Sequence, residues 1–384
     1  MEEVKVNLNQ PSRTITGFSS IILDSLRIIA ALIVLIYHMF MHWLPTHSIT
    51  SDLARCAHGG VVIFFVLSGY VIAYTTVQRN RGGKQYMLAR FSRLYSIVIP
   101  AIAITALIEL TLFLTNPELS ETMTRGATIP RYLLSVFFSN ELWFISAAPP
   151  INGPLWSLSY EFWYYIIFGL FFFLGKKGVK WLLPGGLACL IAGPKILLMM
   201  PIWLLGYLSY KYSQNLAKSA SWLLCLFFLL AASLSVILMP ALPGELGNTP
   251  LFFSGQFITD IISGIFVALA LAFMPNGGAI TSALTSSIRK AADLTFPIYV
   301  LHFPILLLYD GLSNESILFA HQLALPTVMV LLGCIIIGIA LEKYRPIWNA
   351  LFDRLYDYVA SFFKLRSNTG PQLHLPDKSA AHSS

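Results

Sequence analysis

The sequence predicts an all-α polytopic membrane protein with about ten transmembrane helices. Three observations carry that prediction. Of 384 residues, 56% are apolar and only 11% charged, against roughly a quarter charged in an ordinary soluble domain. Mean hydropathy is +0.70. The apolar residues come in unalternated runs of about twenty, the length a helix needs to cross a bilayer core, and not in the roughly ten-residue alternating strands of a transmembrane barrel. This pattern excludes a soluble globular enzyme, a disordered chain and a collagen-like fibre. The net charge of +7 and pI near 9.2 read as basic cytoplasmic loops, with no nucleic-acid partner.

Residues 1–20 are polar and read as a cytoplasmic N-terminal segment. The run 21–44 is longer than a signal-peptide core and lacks a small-x-small cleavage site, so it reads as a retained first helix. Further spans are predicted over 59–77, 94–115, 154–174, 181–193, 196–210, 221–239, 251–274, 291–311 and 322–341. The fifth and sixth are short and separated only by Gly193-Pro194-Lys195, which leaves tilted spans, a re-entrant loop or a broken pair open. The apolar segment 131–147 reads as part of the loop between spans three and four.

With both termini in the cytoplasm, the outside segments hold only Arg55, Arg125, Arg131 and Lys195. Arg27 lies in the first span, and every other Lys and Arg falls inside, which predicts N-in, C-in. After the transmembrane domain (21–342), Trp348, Leu351, Phe352, Leu355, Val359 and Phe362 recur at helical spacing beside Arg345, Arg354, Lys364 and Arg366. That pattern predicts an amphipathic helix on the inner membrane surface over 343–366, and the polar 367–384 reads as a disordered tail. Cys56, Cys189, Cys225 and Cys334 show no CxxC spacing and suggest neither a disulfide framework nor a metal site. His42, His47 and His58 lack the carboxylate or thiol pattern of a metal cluster, and no metal is expected.

Ionisable groups inside a span are costly and mark function. Arg27 and His38 are eleven residues apart in the first span, which places them on one helix face within about 20° and about 16 Å apart along the axis. Asp24 shares that stripe and can pair with Arg27 at i, i+3. Two readings stay open for each: Arg27 as a pathway cation or a snorkelling one, and His38 as a base or an interhelical hydrogen-bond partner. Glu161 lies among the aromatics of span four and suits proton transfer or pairing with a neighbouring helix. Trp156 reads as either aromatic belt or sugar platform. Ser68-Gly69 in span two invites close helix packing or a substrate contact. Arg90 and Arg93, at i, i+3 where span three begins, can grip a phosphate or simply carry positive-inside charge. His302 sits between Pro297 and Pro304, where freed carbonyls and an imidazole share a broken helix. Asp260 and Glu109 are intramembrane carboxylates with no partner readable in the sequence, and Asp293 and Asp310 read as interfacial. These residues alone fit a membrane enzyme with an anionic cytosolic donor or a proton-coupled exporter of a glycan or lipid.

The motifs go further. Leu23-Asp24-Ser25-Leu26-Arg27 followed by Tyr37-His38, Phe64-Phe65-Val66-Leu67-Ser68-Gly69-Tyr70, Arg90-Phe91-Ser92-Arg93, Leu155-Trp156-Ser157-Leu158-Ser159-Tyr160-Glu161 and Tyr299-Val300-Leu301-His302-Phe303-Pro304 occur in that order. Together they resemble the acyltransferase 3 family of integral membrane acyltransferases across residues 20–345. Ser25 stands where that family usually has Gly, and Tyr70 where Phe is common. The resemblance implies transfer of an acyl group, usually acetyl, from cytosolic acyl-coenzyme A to a carbohydrate hydroxyl. The acceptor would be a cell-surface polysaccharide or its lipid-linked precursor. It implies a bacterial inner-membrane location, acyl-coenzyme A as co-substrate with no bound cofactor, and room for a separate extracytoplasmic partner that completes the transfer. The implied roles are His38 as base or acyl carrier, Arg27 steadied by Asp24 as donor guide, and Glu161 orienting His38 or shuttling its proton. Arg90 and Arg93 would bind the donor phosphates, with Ser68, Trp156, Ser157, Tyr299 and His302 lining the pocket.

Overall fold

A computed structural model describes residues 14–78, 82–175, 178–213, 221–248, 250–278, 281–313 and 317–368. Among the described residues there are thirteen α-helices and no strand, as lipid requires of a chain that must satisfy its backbone within each span. The predicted tail lies outside the described residues beyond position 368, as does the N-terminal segment before position 14.

Helices occupy all ten predicted spans. The first three are α1 (Phe18–Trp43), α2 (Thr50–Gln78) and α3 (Gly83–Thr115). Two short helices, α4 (Pro117–Met123) and α5 (Thr128–Val136), stand in the long loop that follows. The fourth span is α6 (Trp156–Gly169), entered through a 3-10 turn at Gly153–Leu155 and left through a π turn at Leu170–Leu174. Then come α7 (Leu183–Ala192) and α8 (Pro194–Ser213), α9 (Trp222–Leu238), α10 (Phe257–Phe273), the polar α11 (Ser282–Asp293), α12 (Thr295–Leu312) and α13 (Ala324–Asn368).

Six of these helical stretches are long and apolar enough to cross a bilayer. α7 and α8 qualify only together, and a bend of 118° separates them. This makes the fifth and sixth segments a broken or re-entrant pair, and the break falls at Gly193-Pro194 because Pro194 has no N–H to continue the ladder. α9 and α10 are apolar but only 17 residues each. The segment 343–366 is helical and runs on from the last span without a break, through Pro346, as part of α13. Its Phe352 packs on Phe91 and Tyr95 of α3, and Lys84 pairs with Asp353 and Asp357.

The outward faces are apolar: Leu114 of α3 is 70% exposed and Leu223 of α9 79%, as suits helices whose solvent is hydrocarbon. The interior holds aromatic and small residues. α2 and α8 approach most closely. A Cβ added at Gly69 would lie 1.9 Å from the Trp203 carbonyl oxygen, and one at Gly206 1.9 Å from that of Val66. Only glycine allows this reciprocal contact, which fixes the wall that carries Ser68.

A buried ion pair pins the α7–α8 break. Lys195 Nζ donates to Glu141 and to the Ile145 carbonyl, and both charged side chains are fully buried. Ser146 donates to the other Glu141 oxygen at 3.0 Å. Lys195, read from sequence as an outside-loop cation, is therefore an interior one. Pro304 leaves the Val300 carbonyl of α12 without its helical donor, and Asn152 Nδ2 fills the gap at 3.0 Å while also reaching Thr105 Oγ1 at 3.0 Å. The loop before α6 is thus stitched to α3 and to the freed carbonyl of α12, which runs unbroken through Pro304 where the sequence suggests a broken helix.

Candidate active site

α1, α2, α3, α6 and α12 enclose a cavity of about 770 Å³ including its open mouth. Its charged lining is Arg27, Arg90, Arg93 and Glu161, and its polar lining includes Ser68, Ser157, Tyr165, Thr295 and Tyr299. Seven of the residues singled out in the sequence thus meet in one space, although they come from five helices. Apolar walls come from Phe64, Phe65, Leu94 and Phe296 among others.

The cations outnumber the carboxylate, and the carboxylate is occupied. Glu161 Oε1 accepts from Ser68 Oγ at 2.7 Å and from the Tyr165 hydroxyl. Trp203 Nε1 donates to Ser68 Oγ at 3.1 Å. Arg90 is buried, lies over the Tyr165 ring with its guanidinium 5.8 Å from the centroid, and reaches Thr75 Oγ1 only at 3.5 Å. Its Nε is buried without a hydrogen-bond partner. Among the described residues neither Arg90 nor Arg93 forms a salt bridge. A desolvated guanidinium with unmet donors calls for an anion. Arg27 differs: Asp24 holds it at 3.6 Å, and Arg289 of α11 reaches the other Asp24 oxygen at 3.8 Å.

The histidines lie beyond the cavity wall. His302 Nδ1 sits 3.0 Å from the Ile298 carbonyl and 2.8 Å from that of Tyr299. Both are acceptors, so Nδ1 carries the proton and Nε2 holds the lone pair. That lone pair faces His38 Nδ1 at 3.1 Å. His38 Nδ1 is also 2.8 Å from the Val34 carbonyl, so its N–H is forked between two acceptors. The same network leaves His38 Nε2 as a basic nitrogen with no partner among the described residues.

Glu161 is hydrogen-bonded to Ser68 and Tyr165, and His38 meets His302 instead. Trp156 also lies off the cavity wall, stacked between His58 at 5.9 Å and Phe253 at 4.3 Å. Tyr299 stands between the two centres. Its hydroxyl donates to the Pro154 carbonyl at 3.1 Å and accepts from Ser157 Oγ at 2.8 Å.

Sequence reasoning did not single out Tyr165, Trp203 or Phe64. Tyr165 had a signal, since it follows Glu161 by four residues on one helix face; Trp203 had none. The carboxylates left without partners acquire them. Asp260 accepts from His58 at 2.9 Å and from Gln256 at 3.0 Å, and Glu109 accepts from the Tyr132 hydroxyl. Asp310 is more than interfacial, for it accepts from His42 at 2.9 Å and Trp43 at 2.8 Å and so ties α12 to α1.

The sequence of this multi-pass helical protein matches a known family over most of its length. The profile of the acyltransferase 3 family, an acyltransferase domain, matches residues 21–341. The chain belongs to that family and is an acyltransferase. Among curated proteins it is similar to the acyltransferase MdmB of Streptomyces mycarofaciens, 23% identical over 68% of this chain and 71% of that protein. It is also similar to the peptidoglycan O-acetyltransferase OatA of Listeria monocytogenes, 30% identical over 41% of this chain and 25% of that protein. With the O-acetyltransferase OatA of Staphylococcus aureus it shares 31% identity over 38% of this chain and 24% of that protein. The matched region thus spans about a quarter of the length of the OatA relatives. No solved structure matches the chain.

Proposed function

We propose that the protein moves an acetyl group from cytosolic acetyl-coenzyme A to a hydroxyl of a carbohydrate, a cell-surface polysaccharide or its lipid-linked precursor, across a bacterial inner membrane. The observation that carries this reading is the cavity in which, among the described residues, Arg90 and Arg93 form no salt bridge, and Arg90 has a buried Nε without a hydrogen-bond partner. Such a site fits the phosphates of a nucleotide-bearing donor. Both termini lie in the cytoplasm in this reading, so that the arginine cavity opens inward.

Arg90 and Arg93 hold the phosphates, while Arg27, steadied by Asp24, guides the thioester. The free Nε2 of His38 takes the proton of the acceptor hydroxyl. The hydroxyl oxygen attacks the thioester carbon, the carbon–sulfur bond breaks, and the thiolate receives the proton back, so no oxidant or cofactor is consumed. Alternatively, Nε2 attacks the thioester carbon first and the carbon–sulfur bond breaks to release the thiolate; the acceptor hydroxyl then takes the acetyl group from the ring and its proton passes to the thiolate. His302 holds His38 in the tautomer either route requires. The OatA relatives, named as O-acetyltransferases, support an oxygen acceptor.

The test is release of free coenzyme A thiol by purified protein in lipid nanodiscs supplied with labelled acetyl-coenzyme A and isolated envelope glycans. Thiol release with label on the glycan is expected. Glycan movement without thiol release would instead make the protein an exporter.

A further inference from the structure

The charged lining of the cavity holds one carboxylate, Glu161, and a transfer through His38 gives it no part. Its Oε1 accepts from Ser68 Oγ at 2.7 Å and from the Tyr165 hydroxyl. Hydroxyls inside helices commonly bond back to a carbonyl three or four residues earlier. Thr105 does so to Ala101 at 2.7 Å, and Ser263 to Thr259 at 3.0 Å. Ser68 instead sends its proton across to α6. The other aliphatic hydroxyls of the cavity meet no carboxylate among the described residues: Ser157 bonds the Tyr299 hydroxyl and Thr295 the Ala292 carbonyl.

A serine oxygen has two lone pairs. Trp203 Nε1 donates to one at 3.1 Å. The Tyr165 hydroxyl lies 3.0 Å from Ser68 Oγ but gives its proton to Glu161, so the second lone pair has no donor among the described residues. A nucleophile, a base within hydrogen-bond reach and a third group orienting the base make an activated serine. Ser68, Glu161 and Tyr165 have that arrangement, and all three line the arginine cavity. The glycine contact between α2 and α8 holds it in place, because Gly69 abuts the carbonyl of the same Trp203 whose indole bonds Ser68.

We propose that Ser68 Oγ is a nucleophile that takes the acetyl group from the donor as a serine ester, with Glu161 as its base and Tyr165 as a positioning residue. This rests on the reading of the cavity as an acyl-coenzyme A site. Ser68 Oγ attacks the thioester carbon while its proton passes to Glu161. The carbon–sulfur bond breaks, and the thiolate takes that proton and leaves as free thiol. The acceptor then attacks the serine ester in place of the thioester; the bond to Ser68 Oγ breaks and the acceptor's proton ends on that oxygen.

The experiment supplies labelled acetyl-coenzyme A, without acceptor, to full-length protein in nanodiscs and quenches with acid at early times. A burst of about one thiol per protein is expected, with label that resists neutral hydroxylamine and maps by mass spectrometry to the peptide carrying Ser68. Glu161→Gln should slow the burst by about 10²–10⁴-fold, and Tyr165→Phe by less. Ser68→Ala should lose burst and label. Ser68→Cys should regain the label as a thioester that neutral hydroxylamine removes, a signature that a merely structural serine cannot give. Thiol release that needs acceptor and leaves no label on Ser68, or full turnover by Ser68→Ala, overturns the acyl-serine and leaves the donor site standing. Absence of thiol release by the wild type with or without acceptor overturns the donor reading and the acyl-serine with it.

Discussion

His302 accepts a hydrogen bond from Nδ1 of His38, and among the described residues Nε2 of His38 has no hydrogen-bond partner. The two rings lie 4.9 Å apart by centroid, at 57°. A neutral acceptor on one nitrogen fixes which nitrogen of the other ring is basic, and a base is useful only where its lone pair is free.

Loss of the two histidines should therefore differ in degree. Under the proposed mechanism His38→Ala removes the basic nitrogen that takes the acceptor's proton, and it should abolish steady-state thiol release while the protein stays in the membrane. His302→Ala leaves the Val34 carbonyl to hold the same tautomer and costs only orientation, about 10- to 100-fold in kcat. Steady-state kinetics on detergent-solubilised variants of equal yield checks both. Equal losses would show that His302 does more than position its neighbour.

The arginines should act on donor affinity. Arg90→Ala and Arg93→Ala each remove charge-assisted hydrogen bonds worth about 1.5–3 kcal/mol, so the apparent KM for acetyl-coenzyme A should rise about tenfold or more with a smaller effect on kcat. Arg90→Lys should recover only part of this, because a lysine lacks the planar fork and the stacking on Tyr165. Titration of the donor against each variant measures it; an unchanged KM in both would remove them from the donor site.

The α2–α8 contact should tolerate no side chain. Gly69→Ala places a methyl within the Trp203 carbonyl and forces the helices apart, a cost of about 1–3 kcal/mol or more. Ser68 and its bonds to Glu161 and Trp203 shift with it. Thermal unfolding of the purified variant should show a lowered Tm, and activity should fall with it.

The buried pair should behave as a unit. Lys195→Met alone strands the Glu141 carboxylate beneath the loop and should destabilise by about 3–5 kcal/mol, whereas Lys195→Met with Glu141→Leu should recover most of that loss. A double-mutant cycle on thermal stability gives the coupling, and additive losses would mean the pair contributes nothing as a pair.

Much of this was legible in the sequence. Helical periodicity placed Arg27 and His38 on one face, and the ordered motifs brought Arg27, Ser68, Arg90, Arg93, Ser157, Glu161 and Tyr299 to what proves to be one cavity. Periodicity states which face a residue occupies but not which helix answers it. The partnership of His38 with His302, 264 positions away, was therefore invisible, as was that of Glu161 with Ser68 of α2. The same limit hid His58 from Asp260. Lys195 was misread for another reason: loop position suggests solvent exposure, and only the fold shows the loop from 137 to 152 burying it.

The glycine contact between α2 and α8 also decides how the enzyme can breathe. Two backbones that already touch leave the Ser68 side of the chamber nowhere to retreat. Extra room for a bulky guest must come from the opposite flank, where Pro304 removes one backbone hydrogen bond from α12 and α3 leans on the terminal helix. That asymmetry makes one wall an anvil and the other the moving part.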